Sequence, residues 1–166
     1  KHSVDALLLW NMRSYVDQNA SSAIYSFPYR HAGLAGRVAY DFDSRYFAEF
    51  NFGYNGSENF APGKTRYGLF PSASLGWVVS EENFMKKVGW IDFLKLRASV
   101  GLVGNDQGNS VRFMYMDGVW NDAGSYYFGV NKSDGVPRYE LGTPGNSGVT
   151  WETALKSNIG LDFDLF

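Results

Sequence analysis

Apolar and polar residues alternate along much of this chain with a period of two, the pattern of strands that separate two unlike environments. In RYFAEFNFGYNGS, residues 45–57, Tyr46, Ala48, Phe50, Phe52 and Tyr54 fall on one face and Phe47, Glu49, Asn51, Gly53 and Asn55 on the other. In FLKLRASVGLV, residues 93–103, Leu94, Leu96, Ala98, Val100 and Leu102 alternate with Lys95, Arg97, Ser99 and Gly101. SNIGLDFDLF, residues 157–166, sets Ile159, Leu161, Phe163 and Leu165 against Asn158, Gly160, Asp162 and Asp164. GLAGRVAYDF (33–42) and FPSASLGWVV (70–79) follow the same template less cleanly, and VDALLLWNMRSY (4–15) reads as a strand with an ambiguous inward face. The pattern predicts about six strands, most near the ~9–11 residues that a tilted strand needs to cross a bilayer.

The links between these strands are unequal. Asp43-Ser44 is a tight turn, and SEENFMKKVGW, residues 80–90, is compact. In the second link Ser80 is placed to cap one helical turn, with Glu81 and Glu82 at its positive end and Lys86 and Lys87 at its negative end. The links at 16–31, 57–69 and 104–149 are long, the last rich in Gly, Asn, Asp and Tyr. In an up-and-down meander the short links fall on one side and the long ones on the other. Short periplasmic turns and long outer loops are the arrangement of outer-membrane barrels.

Composition narrows the choice further. Aromatics make up 17% of the 166 residues and glycine 19 of them, which favours strands and turns over helix. A net charge of −2 leaves no electrostatic footprint for nucleic acid. Without cysteine there is no disulfide framework, thiolate nucleophile or thiolate metal site. The longest apolar run, ALLLW at residues 6–10, is too short for a transmembrane helix, which excludes a helical membrane protein but not a barrel. The chain begins at Lys1 with no signal-peptide pattern, so it is expected to be processed or part of something longer.

Gly63-Lys64-Thr65 ends like a phosphate-binding loop, but the position where that loop needs its first glycine is Glu58, and Pro71 and the aromatics that follow oppose the required helix. Pro62-Gly63 is a turn signal instead. His2 and His31 have no second ligand at metal spacing, so no metal site is assigned. Asp162 and Asp164 share a strand face about 7 Å apart, a separation a glycosidase uses, yet no apolar pocket is evident to raise either pKa. No nucleophile elbow is present. No catalytic residue, metal or cofactor is assigned, and the chain is not expected to be an enzyme.

Three blocks carry a family resemblance. Residues 33–87, from GLAGRVAYDFDSRYF through GKTRYGLFPSASLGWVVSEENFMKK, resemble the barrel of SusC/RagA-type TonB-dependent outer-membrane transporters of Bacteroidota. LKLRASVGLVGND (94–106) and TWETALKSNIGLDFDLF (150–166) do so too, while 113–139 are similar only in loop-like character. The resemblance implies an all-β fold: an antiparallel, up-and-down transmembrane β-barrel segment of about six strands, with residues 1–166 forming part of the barrel domain and the plug domain and TonB box lying elsewhere. It implies that Phe50, Phe52, Leu75, Trp77, Leu96 and Leu161 face lipid and that Glu49, Asn51, Arg97 and Asp162 face the lumen. Trp77, Trp90 and Trp151 are expected in an interfacial aromatic belt.

The function implied by the resemblance is import of oligosaccharides, or in some cases peptides, across the outer membrane. The partners implied are outer-membrane lipid, a SusD-like surface lipoprotein acting as a lid, and the TonB complex acting through the plug. Lys64, Arg66, Asn105, Asp106, Tyr115, Trp120, Tyr126 and Tyr127 are the loop candidates for contact with substrate or lid, set against the plainer reading that they pack loop on loop. Two alternatives stand beside it: a soluble β-sandwich carbohydrate-binding or adhesin domain, and a porin-type barrel independent of TonB.

Overall fold

The computed structural model describes residues 1–18, 26–87, 89–107, 112–118, 121–132 and 134–165. Six long strands form one antiparallel sheet: β1 (His2–Tyr15), β2 (Tyr29–Phe42), β3 (Tyr46–Ser57), β4 (Tyr67–Val78), β5 (Phe93–Asn105) and β8 (Glu152–Asp164). β6 (Asn121–Phe128) and β7 (Asp134–Glu140) make a separate two-stranded hairpin. The large sheet has the order β1-β2-β3-β4-β5-β8, so neighbours in sequence are neighbours in space, and it is not closed.

The register turns the alternation into two faces. One row of paired residues runs Ala6, Val38, Phe50, Ala73, Val100 across five strands, the next Val4, Tyr40, Ala48, Leu75, Ala98, Ile159, and the one after it His2, Phe42, Tyr46, Trp77, Leu96, Leu161. The rows on the other face run Asp5, Ala39, Glu49, Ser74, Ser99, Asn158 and Leu7, Arg37, Asn51, Ser72, Gly101, Lys156. Because the side-chain period is two, a slip of one residue anywhere would exchange these faces. The same rows settle β1: Val4, Ala6, Leu8, Trp10 and Met12 lie on the apolar side.

Among the described residues nothing covers the apolar face. Leu8 is 69% exposed, Trp10 71%, Leu75 65% and Ile159 86%. Burying such side chains is worth ~1.5–3 kcal/mol each, so leaving them all exposed to water is costly. Among the described residues the buried apolar side chains are Phe60, Val78 and Val79, all at strand ends or in links. Among the described residues six strands lie in one layer with no opposing sheet, which speaks against the β-sandwich alternative.

The short link between β2 and β3 holds Asp43 and Ser44 both at φ 57°, the two positive values that a mirror-image hairpin turn requires. Asp41 Oδ1 accepts the Ser44 N–H at 2.8 Å and steadies the turn. The link after β4 corrects the sequence reading. It contains two short 3-10 turns, Val79–Glu81 and Met85–Lys87, and Ser80 lies within the first with its hydroxyl unbonded instead of capping a helix. The free carbonyl of Glu82 starts the second turn by accepting from the N–H groups of Met85 and Lys86.

The stretch expected as one long loop, 104–149, holds the β6-β7 hairpin. Two features hide it in the sequence. Consecutive Tyr126, Tyr127 and Phe128 erase the apolar-polar contrast, and the register shifts between Asp122 and Ser125, where Gly124 takes φ 84°. Pro137, which argues against a central strand, is tolerated because both strands of a lone hairpin are edges.

Candidate functional site

The polar face of the large sheet is concave and lined by paired charges. Arg37 on β2 reaches Glu49 on β3 through Nε at 2.9 Å and Nη2 at 2.5 Å, and Asn51 Nδ2 donates to the other Glu49 oxygen at 2.8 Å. On β5, Arg97 meets Asp162 of β8 at 3.2 Å by lying across Gly160, where a Cβ would stand 2.4 Å from its Nε. The carboxylate singled out for glycosidase geometry is therefore engaged in an ion pair. Lys95 Nζ sits 4.9 Å over the Phe47 ring. Between these groups lies a hollow of about 500 Å³, walled by three cations, Arg37, Lys95 and Arg97, and three carboxylates, Asp5, Asp41 and Glu49. Balanced charge of this kind offers donors and acceptors without attracting net charge.

At the long-link end a second cluster ties loops to strands. Phe60 packs on Trp151 at 5.2 Å, Trp151 on Phe70 at 5.1 Å, and the Trp151 indole donates to the Arg66 carbonyl at 3.3 Å. Phe70 belongs to the polar face, since it pairs with Gly53. Trp151 thus packs inward, and its expected place in an interfacial belt is not where the fold puts it. Arg112, 6% exposed, donates to the carbonyls of Phe27 and Pro28, pairs with Glu58, and stacks on Tyr29 with Cζ 3.7 Å from the ring centroid. Apart from Phe113, on which it also stacks at 4.6 Å, these partners of Arg112 lie 54 to 85 residues away.

The predicted loop residues divide by what they touch. Arg66 donates to the Phe60 carbonyl from Nε and Nη2 at 3.2 and 3.1 Å, closing its own loop. Lys64 is exposed on the 3-10 turn Lys64–Arg66 that follows Gly63. Asn105 bonds Glu152 at 3.1 Å, and Asp106 stands 3.4 Å from His31 Nδ1 while its carbonyl accepts from Asn59. Tyr115 meets Phe113 edge to face at 6.2 Å. Tyr126 and Tyr127, 59% and 55% exposed, lie on the β6-β7 hairpin and share no ladder with the other candidates. Trp120 lies outside the described residues. The structure therefore brings Arg66, Asp106 and Tyr115 into loop packing, ties Asn105 to its ladder partner Glu152, and leaves Lys64, Tyr126 and Tyr127 exposed.

At the opposite end, Tyr46 and Trp77 stack at 6.4 Å, and Glu82 Oε1 accepts from the Tyr46 hydroxyl at 2.5 Å and the Trp77 indole at 3.3 Å. These two donors, the hydroxyl first, hold the Glu82 carboxyl below its ordinary range. Among the described residues no three His, Asp or Glu side chains gather to hold a metal ion.

Comparison with known proteins follows the same lines. No protein-family model matches the chain. TonB-dependent receptor P39 of Formosa agariphila is 35% identical over 135 residues, 81% of this chain and 12% of that protein. TonB-dependent receptor SusC of Bacteroides thetaiotaomicron is 34% identical over 131 residues, 77% of this chain and 12% of that protein. The chain thus spans about 12% of the length of these curated relatives. Among solved structures, the RagAB peptide transporter superposes on 100% of the chain with a TM-score of 0.75 at 19% identity, and the chain covers 20% of it. The RagAB peptide importer in its closed-closed state gives 0.72 at 18% identity, likewise over 100% of this chain and 20% of that one. At such identity these structures speak for the fold alone.

Proposed function

Because the chain belongs to the SusC/RagA-type TonB-dependent receptors, as a segment of their β-barrel, we propose that it forms part of an outer-membrane transporter that imports oligosaccharides or peptides with energy relayed by TonB. The observation that carries this reading is the division of one open antiparallel sheet into an uncovered apolar face and a concave polar face. In a barrel the first faces lipid and the second faces the lumen and plug, where water and protein satisfy the polar groups. Residues 1–166 are then part of one barrel domain, with β1 to β5 and β8 as its strands, the links at the Tyr46 and Trp77 end periplasmic and those at the Phe60 and Trp151 end outside.

The charge balance of the hollow favours a neutral, hydroxyl-rich cargo, and the open aromatics of the hairpin suit stacking on sugar rings or seating against a SusD-like lipoprotein. Lys64, Tyr126 and Tyr127 are the contact residues this reading retains. The test is uptake of labelled oligosaccharide and peptide pools by cells with and without the receptor that carries this segment. Loss of uptake of one pool on deletion, and again when the proton gradient is collapsed, is expected. Uptake that survives collapse of the gradient would make the barrel a passive porin.

A further inference from the structure

In the link after β5 two backbone segments run against each other. Between 114–118 and 142–146, the Gly118 N–H donates to the Thr143 carbonyl and the Asn146 N–H to the Met114 carbonyl, both at 2.8 Å. The Gly145 N–H donates to Asp117 Oδ1 at 2.9 Å. A Cβ on Gly145 would stand 2.5 Å from the Met116 carbonyl carbon, and one on Gly118 2.7 Å from the Thr143 nitrogen, so a side chain at either position would force the segments apart. These segments flank the β6-β7 hairpin in sequence and form the neck of the excursion that carries the exposed Tyr126, Tyr127 and Phe128.

Just before the neck sits the buried Arg112. Its guanidinium donates to the Phe27 and Pro28 carbonyls of the β1-β2 link, each at 3.1 Å, and pairs with Glu58 of the β3-β4 link. Between Arg112 and the neck, Phe113 takes φ 53°, a left-handed conformation that is unfavourable for an aromatic residue. It meets Phe27 edge to face at 6.1 Å and Tyr115 at 6.2 Å. A strained backbone persists only while its surroundings over-determine it, and a buried guanidinium is costly unless its partners stay in place. The contacts are therefore kept or lost as a set. We propose that Arg112 is a conformational clasp that makes the hairpin neck, the β1-β2 link and the β3-β4 link move as one unit: engaged, it holds all three, and released, it frees all three together. A load on the exposed hairpin then reaches two links distant in sequence through one side chain. The coupling lies within the chain and does not depend on what the transporter carries.

The test is hydrogen exchange of the intact receptor carrying this segment, purified in detergent, read by mass spectrometry of peptides covering 26–30, 57–62 and 113–118. Arg112→Gln is expected to speed exchange in all three stretches together by about tenfold or more, the size of one charge-assisted hydrogen bond, with the middle of β2 to β5 unchanged. Glu58→Gln should do the same more mildly. Gly145→Ala, which pries the neck apart, is expected to speed exchange at 26–30 and 57–62 in the native background and to add nothing there in the Arg112→Gln background. Faster exchange confined to 113–118 in Arg112→Gln would overturn the proposal. So would a Gly145→Ala variant that leaves the two other stretches unmoved, or moves them equally in both backgrounds. Loosening of β2 to β5 in both Arg112→Gln and Glu58→Gln would overturn it too, since the contacts would then belong to the stability of the sheet. Where Arg112→Gln alone loosens the strands, Glu58→Gln decides by whether all three stretches respond.

Discussion

Gly63 takes φ 123° and ψ −150°, a region essentially closed to residues with a Cβ, and among the described residues beyond its two chain neighbours no atom lies within 4 Å of where that Cβ would be. Gly63→Ala therefore meets no neighbour and suffers only backbone strain, of the order of 1–3 kcal/mol. A fall in thermal midpoint of the intact receptor is expected for Gly63→Ala and none for Lys64→Ala. Glu82 carries a pH dependence of definite sign. Folding lowers its affinity for protons, so its contribution is complete above the ordinary glutamate value of 4.5 and is lost as pH falls through the lowered one. The difference in thermal midpoint between the native receptor and Glu82→Ala is expected to be steady at neutral pH and to narrow in the acid range. A difference that widens on acidification would show that the two donors do not act through the ionised carboxylate.

Strands, more than single side chains, carry the stability of this sheet. Arg97 and Asp162 are 61% and 41% exposed, and an ion pair so open is worth ~0–1 kcal/mol in water. Removing the charge by Asp162→Asn should accordingly change little. Gly160→Leu should change more, because it displaces the Arg97 side chain that lies across Gly160 in the β5-β8 ladder. Urea or thermal unfolding of the receptor that ranks these two variants in the opposite order would contradict the register. The β6-β7 hairpin differs in kind from the other strands, since two strands without a packed face are marginal in water. Its amides should exchange with deuterium well before those of β2 to β5, which are paired on both sides.

At the scale of the molecule, an open sheet with an uncovered apolar face and unpaired β1 and β8 edges is an aggregation template in water. The isolated 166 residues should hold β structure only in detergent, within an assembly or within the parent chain, as read by circular dichroism and sedimentation. A water-soluble monomer with cooperative unfolding would refute the barrel reading. Aromatic residues set the height of the lipid zone. From Tyr46, paired with Trp77, to Tyr54 is eight residues, about 27 Å along β3, or roughly 20 Å of height at the usual tilt, near the apolar band of such barrels.

Alternation with period two was enough, by itself, to identify six of the eight strands, the side of Phe50 and Leu161, and the asymmetry of the links, because each of these depends on neighbours in sequence. The pairing of Asp43 and Ser44 into a tight turn was legible for the same reason. What only the fold decided depends on residues far apart. Arg112 finds Glu58 and Tyr29, Trp151 turns inward to Phe60 and Phe70, and Arg66 and Asp106 are drawn from candidate contacts into loop packing. The β6-β7 hairpin stayed hidden because a bulge and three adjacent aromatics break the local period that a strand otherwise displays. Local periodicity fixes which face a residue takes, while the partner it meets on that face is set by register and loop closure across the whole sheet.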